Sequence, residues 1–429
     1  MKLFKSIKAK IKKTLLDLSA KNRFFLVLYR KLMFLNNRLQ YLAIMRQYSL
    51  MENLILMDSM GGKVFACNIA PLYQEMARDE KYSGYRFVWA FKEPNKYTHL
   101  KKENHRLEIV KYGSREHKIA MARSKYIFAS SGLPNYYIRR KDQVFFQAWH
   151  GTPLKKLGCD IETEGSAVFT SSEWRKKYRA DAKRFSYLLA PSDYTAEKLS
   201  SAFDLRRLGR ESIIYKEGYP RNDVLYNFSE QDVKRIKEKI GVPENKKVIL
   251  YAPTFRDSDF ERGKGFFFKT PVSFDFLREK LPDDCVILFR PHVNVASRFN
   301  LKQYSQFVYN VAAYPNIADL YIISDLLVTD YSSVIFDYAN LKRPMVFYLY
   351  DLEEYNSNIR GLYFSVEELP GEIALTEEEL VKSILQQLHG FQYDEKYHAF
   401  NERFNPWDGP DCSKRIIEKI VPRLEAVQL

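Results

Sequence analysis

"QFVYNVAAYPNIADLYIISDLLVTDYSSVIFDYANLKRPMVFYLYD", residues 306–351, carries helix, strand, turn, helix and strand in one run. Its strands are near-continuous apolar stretches, as a parallel sheet covered on both faces requires. One strand ends at Thr329 and the next helix starts near Ser332. That turn puts the hydroxyls of Ser332 and Ser333 and free backbone N–H groups where an anion is favoured. Asp337 follows on the first turns of the helix, placed to accept hydrogen bonds from a ribose or polyol. Read alone, Ser332 is a plain N-cap and Asp337 a solvated or dipole-compensating acid. The anion reading gains its weight from the surrounding sequence.

The same alternation runs outward in both directions. "KVILYAPTFRD" (247–257) and "CVILFRPHVN" (285–294) are strands that end in polar residues. Towards the N-terminus, "NLILMDSM" (53–60), "YRFVWAF" (85–91), "LEIVKYGS" (107–114), "SKYIFASSG" (124–132) and "QVFFQAWHGTP" (143–153) read as strands, with helix-like stretches between several of them. "RFSYLLAPSDYTAEKLSSAF" (184–203) and "SIIYKEGYPRNDVL" (212–225) continue the pattern. Strands alternating with helices imply right-handed parallel crossovers. "SEQDVKRIKEKIGVPENKK" (229–247) reads as a helix, a glycine cap and a polar linker. The expected layout is therefore an α/β chain of two Rossmann-like domains, 49–240 and 241–429, behind a basic segment 1–48. The last helix, with apolar residues Ile416, Ile417, Ile420 and Leu424, is a candidate to pack back on the first domain. Such sheets place ligands at the carboxyl ends of their strands, and a central cleft between two such ends is the expected site.

The 429 residues carry a net charge of +15. Residues 1–40 hold eleven Lys or Arg against one Asp. Phe4, Ile7, Ile11, Leu15 and Leu18 recur at helical spacing among those lysines. The following "RFFLVLYRKLMFL" has apolar runs far shorter than the ~20 residues of a bilayer span. A basic amphipathic helix suits an anionic membrane surface; the bland alternative is a solvated helix packed on its own domain. No helix-turn-helix, zinc finger or RNP-like motif supports nucleic acid as partner. Cys67, Cys159, Cys285 and Cys412 are far apart with no CxxC, which reads as reduced thiols without a zinc site. No GxxxxGK[ST] and no GxGxxG follows a strand, so neither a P-loop nor a dinucleotide redox fold is indicated. "DSD" at 257–259 reads as loop, and no metal or other cofactor is expected.

Four polar clusters fall at strand ends. In the first half it is Trp149, His150, Gly151 and Thr152; in the second, Thr254 and Arg256, then Arg290 and His292, then Thr329 to Ser333 with Asp337. Arg290 offers a planar fork to phosphate oxygens. Across from an anion-binding half a proton acceptor is the missing part. His150 is the natural one near neutral pH, with Gly151 allowing a tight turn and Pro153 stiffening the exit before Lys155 and Lys156. A histidine satisfied at a buried turn is the structural alternative.

"WHGTPLKKLG", "YAPTFRD", "RPH" and "TDYSSVIFDYANLKRPMVFYLYD", in this order and separation, make the chain resemble the CDP-glycerol glycerophosphotransferases of wall teichoic acid and related polymers. The resemblance implies a GT-B-like fold and a peripheral enzyme at the cytoplasmic face of the cell membrane. It implies transfer of a polyol phosphate from CDP-glycerol or CDP-ribitol to a hydroxyl of a lipid-linked acceptor, with CMP released. By the same resemblance His150 is the base, His292 contacts the donor diphosphate, and Ser332, Ser333 and Asp337 bind donor. Thr254 and Arg256 are added on the donor side, and Gly151, Thr152 and Lys155 on the acceptor side. Family polymerases are often longer, so this length suggests a primase or compact transferase. The alternatives are a nucleotide-sugar-dependent GT-B glycosyltransferase and a non-catalytic basic membrane- or nucleic-acid-binding protein.

Overall fold

The computed structural model describes residues 23–162, 170–254, 260, 261, 265, 266, 271–291, 301–352 and 361–424. His292, Arg256, the 257–259 acids and the lysine-rich stretch with Phe4, Ile7, Ile11, Leu15 and Leu18 lie outside the described residues.

The first half is a seven-stranded parallel sheet. Its strands are β1 (Met51–Asp58), β2 (Arg86–Phe91), β3 (Leu107–Lys111), β4 (Ser124–Ala129), β5 (Val144–Gln147), β6 (Tyr187–Ala190) and β7 (Ile214–Lys216). Their order is β3-β2-β1-β4-β5-β6-β7. The second half is a six-stranded parallel sheet of β8 (Lys247–Ala252), β9 (Cys285–Phe289), β10 (Val308–Asn310), β11 (Leu326–Thr329), β12 (Met345–Tyr348) and β13 (Glu372–Ala374). Here the order is β10-β9-β8-β11-β12-β13. In both halves the chain reverses direction across the sheet beside its first strand, between β1 and β4 and between β8 and β11. These are the switch points where doubly wound sheets bind ligands. The continuous apolar runs follow from burial on both faces. Leu54 and Leu56 pack into one core, Ile55 and Met57 into the core on the opposite side.

Helices cover both faces. α1 (Arg23–Gln47) lies on α2 (Arg115–Arg123), and its Tyr41 and Ile44 are buried in the core of the first half. Lys118 on α2 donates to Asn37 and Gln40 of α1, both at 2.7 Å. Opposite this seam, α1 exposes Leu28, Leu32, Leu35, Leu39 and Leu42, with Leu39 58% exposed. α3 (Glu230–Ile240) begins at a Ser229–Asp232 capping box and ends at left-handed Gly241. Sequence reading set this helix on the near side of a boundary at 240; it buries Ile236 in the core of the second half. The C-terminal α4 (Cys412–Ile420) crosses back, and Ile416, Ile417 and Ile420 fill the core of the first half. Among the described residues no helix is long and apolar enough to cross a membrane.

The two halves are stitched beside the cleft. Leu154 of the first half is buried in the core of the second. Its carbonyl accepts from Tyr363 N at 3.0 Å, and Lys156 N donates to Gly361 O at 3.1 Å.

Candidate functional site

His150 stands just beyond β5, on a backbone that hydrogen bonds over-determine. Trp149 adopts a left-handed conformation, φ 50°, rare for a bulky residue. Two fully buried amides hold it there. Gln147 Oε1 accepts from Trp149 N at 3.0 Å, and Asn68 Nδ2 donates to the carbonyls of Ala148 and Trp149 at 2.9 and 3.3 Å. The imidazole packs on the indole of Trp149, ring centroids 4.3 Å apart. Its Nδ1 lies 2.8 Å from the carbonyl oxygen of Ser130. A carbonyl can only accept, so Nδ1 carries the proton and Nε2 keeps its lone pair.

Ser130 is itself clamped. Its N–H donates to Asp58 O at 3.1 Å, and its hydroxyl accepts from Met60 N at 3.0 Å. Asp58 Oδ1 accepts from Gly62 N at 2.8 Å, fastening the loop after β1. Burial pushes this carboxyl up to about 7, against the amides of Gly62 and Gly61 and the charge of Lys92. His150 as a residue is exposed, while its imidazole is largely enclosed by protein. The protein around it, and then the charge of Arg221, hold its pKa below the ordinary 6.5, while the hydrogen bond to Ser130 opposes them.

The second half meets this site at Ser333. A Cβ placed on Gly151 would lie 3.5 Å from Ser333 Oγ and 3.7 Å from Arg221 Nη2. Ser333, not Ser332, is the N-cap of the short helix Val334–Ala339, and its hydroxyl makes no capping hydrogen bond. At the switch point of the second sheet Thr254 N donates to Asp330 Oδ1 at 2.8 Å, and Thr329 Oγ1 to Ala252 O at 2.7 Å.

Three expected site residues hold protein contacts that the sequence did not foretell. Asp337, expected to bind polyol hydroxyls, is buried; its Oδ1 accepts from Arg221 Nη2 (2.7 Å), Arg221 Nε (3.1 Å) and Asn222 Nδ2 (3.3 Å). Arg290, expected on the diphosphate, gives its Nη1 to the carbonyls of Val311 and Tyr314 at 2.9 and 3.0 Å. Lys155 forms an isolated antiparallel bridge with Leu362, so its backbone joins the two halves. Thr152 is buried beside Gly151.

Arg221, Asn222, Asn68 and Asp408 are the site residues that sequence reading passed over. The stretch "GYPRND" follows β7, and nothing in it says where Arg221 points. Burial by itself would lower the Arg221 pKa; the Asp337 carboxylate beside it reverses the sign and holds it above the ordinary range. Asn222 Nδ2 also reaches Asp408 Oδ2 at 2.7 Å, and Asp408 accepts Tyr219 N at 2.7 Å and Asn340 Nδ2 at 2.9 Å. Burial pushes the Asp408 carboxyl up to about 7 despite these donors. Among the described residues no group of three or more His, Cys, Asp or Glu is placed to hold a metal ion.

This combination sets an imidazole with an available Nε2 next in sequence to Gly151, where a serine hydroxyl and a fixed guanidinium meet. It suits proton removal from an attacking hydroxyl beside a developing negative charge. The family model for CDP-glycerol:poly(glycerophosphate) glycerophosphotransferases matches residues 39–422. The chain is 32% identical over 372 residues to a teichoic acid poly(glycerol phosphate) polymerase of Bacillus spizizenii, covering 86% of this chain and 92% of that one. It is 34% identical over 373 residues to a teichoic acid glycerol-phosphate transferase of Staphylococcus aureus, covering 86% and 93%. Its fold superposes, with a TM-score of 0.81 and 33% identity, on a variant of the wall teichoic acid polymerase TagF soaked with CDPG, covering 90% of this chain and 92% of that one.

Proposed function

The chain belongs to the CDP-glycerol:poly(glycerophosphate) glycerophosphotransferase family, and from that membership we propose that it transfers glycerol phosphate from CDP-glycerol to a hydroxyl of a lipid-linked cell-wall polymer precursor, releasing CMP. His150 is the base in this reading. The observation that carries it is the 2.8 Å contact from His150 Nδ1 to Ser130 O, which leaves Nε2 free to take a proton. The acceptor oxygen then bonds to the phosphorus bearing the polyol as the bond to CMP breaks. Ser333, uncommitted at its N-cap and adjacent to Gly151, supports donor binding from the second half. Ser332 joins it there, His292 is assigned to the donor on the family's pattern alone, and Arg256 from its place in the polar cluster that follows β8 in the sequence. Thr254 is kept on the donor side at the switch point, and Gly151 and Thr152 on the acceptor side.

The acceptor's lipid is met by α1. Its exposed leucine stripe, with Lys31 at its edge, supports peripheral seating on an anionic cytoplasmic membrane surface. The deciding experiment incubates purified protein and acceptor-bearing vesicles with CDP-glycerol, CDP-ribitol or a nucleotide sugar. CMP released from CDP-glycerol is the expected product. A nucleoside diphosphate released from the sugar donor would assign it to glycosyl transfer instead, and CMP from CDP-ribitol alone would change the polyol. No release from any donor, with binding lost as salt is raised, would favour a non-catalytic basic binder.

A further inference from the structure

Asn68 stands at the N-cap of the helix Ile69–Arg78, yet its side chain makes no capping hydrogen bond. Asparagine is among the preferred residues there because its side-chain oxygen accepts from the free N–H groups of the first turn. Here the fully buried amide serves two other segments instead. Nδ2 donates to Ala148 O at 2.9 Å and to Trp149 O at 3.3 Å, on the turn that carries His150. Oδ1 accepts from Arg221 N at 3.3 Å, on the turn after β7. Both N–H groups and the oxygen are thus engaged, and flipping the amide would set each against a group of its own kind. Strained backbone flanks the contact on both sides. Cys67, next to Asn68, has φ 59°, and Trp149, next to His150, has φ 50°. Such residues persist in that region where their surroundings over-determine them, and they gather at functional sites.

Resting on the phosphotransfer reading above, we propose that Asn68 is a positioning residue of that reaction: it fixes the turn bearing His150 against the turn bearing Arg221, and so sets where the base meets the acceptor hydroxyl. Asn68 touches no reacting atom and moves no proton. It acts through Trp149, on whose indole the imidazole packs with centroids 4.3 Å apart, and through the direction in which that turn presents Nδ1 to Ser130 O. Freeing the carbonyls of Ala148 and Trp149 lets the Trp149 backbone relax, swings the ring off Ser130 O and ends the preference for the Nδ1–H tautomer. The rival use is plain stability, a buried amide that ties three segments together without acting on the base.

The test follows CMP release and the nitrogen-15 resonances of the His150 ring in Asn68→Ala and Asn68→Asp, with His150→Ala identifying the ring signals. Asn68→Asp keeps an acceptor for Arg221 N and loses the amide donors, so kcat should fall about hundredfold, the effect of a small misplacement of a catalytic group, with KM for CDP-glycerol within about threefold. Asn68→Ala frees both turns, and its KM should rise about tenfold as well, as the loss of one hydrogen bond allows. In both variants the ring should lose its fixed tautomer. Its pKa should rise towards the ordinary 6.5 as it leaves the enclosing protein, against the remaining charge of Arg221, and carry the acid limb of kcat/KM upwards. An Asn68→Ala enzyme that keeps kcat within about threefold of wild type overturns the proposal. So does a folded variant that loses turnover with the tautomer and the acid limb unmoved, which leaves stability alone. If neither variant folds, Asn68→Ser carries the same readouts, and its failure to fold as well would assign the residue to stability and overturn the proposal. No CMP from the wild-type enzyme with any CDP-polyol would remove the preceding reading and this one together; the other overturning outcomes remove only this one.

Discussion

What holds His150 sets its tautomer and its charge. Its Nδ1 is committed to Ser130 O, and burial with the Arg221 charge depresses its pKa, so the ring is neutral and ready below the ordinary range. The expected pH profile of kcat/KM therefore has an acid limb below about 6.5; a limb at or above that value would mean that another group titrates. His150→Ala should lower turnover by ~100-fold or more while calorimetry still detects CDP-glycerol binding. Retained turnover would remove the residue from the base role. The residue type and its place after an apolar strand were legible in "FFQAWHGTP". The tautomer was not, because the carbonyl that sets it belongs to Ser130, on a different strand end.

At the scale of elements, local patterns carried far. The Gly241 cap was readable before any fold, and the Ser229–Asp232 capping box that the structure adds is equally local, since capping involves residues three or four apart. Close approach was not readable. A Cβ on Gly218 would stand 2.3 Å from Trp407 O and 2.5 Å from Cys412 Sγ, so the returning C-terminal segment presses on this turn. Gly218→Ala is expected to cost ~1–3 kcal/mol in overpacking and to lower the melting temperature; an unchanged Tm would show that residues 407–412 can retreat freely. For α1, Leu32→Ser/Leu35→Ser/Leu39→Ser should weaken sedimentation with anionic vesicles while CMP release from a soluble acceptor analogue persists. Undiminished vesicle binding would remove this stripe from the membrane contact. The stripe's exposure depends on which side of α1 meets the core of the first half, where Tyr41 and Ile44 are buried.

For the molecule as a whole, the two Rossmann-like sheets are joined by side chains that cross between them. Leu154 leaves the strand end that carries His150 and enters the core of the other half. Tyr363 OH donates to Asp160 Oδ2 at 2.6 Å and accepts from Leu157 N at 3.0 Å across the same junction. Wild-type protein should unfold in a single calorimetric transition. Leu154→Ala, losing ~2–5 kcal/mol of packing, should separate the halves into two transitions. A single, merely shifted transition would place the coupling elsewhere. Chain length does not separate primase from polymerase, since one relative covered over 92% of its length is described as a polymerase.

Sequence alone determined the class of fold, the strand and helix alternation, the family and the polar residues that follow the strands. Periodicity, capping and turn chemistry act between near neighbours, and the motifs keep their order along the chain. Only tertiary structure decided that Asp337 serves Arg221, 116 positions away, that Arg290 straps a loop, and that Gly151 faces Ser333. Those pairings depend on how two sheets dock. Burial then fixes their consequences, because a desolvated charge must find its partner wherever the fold has brought one.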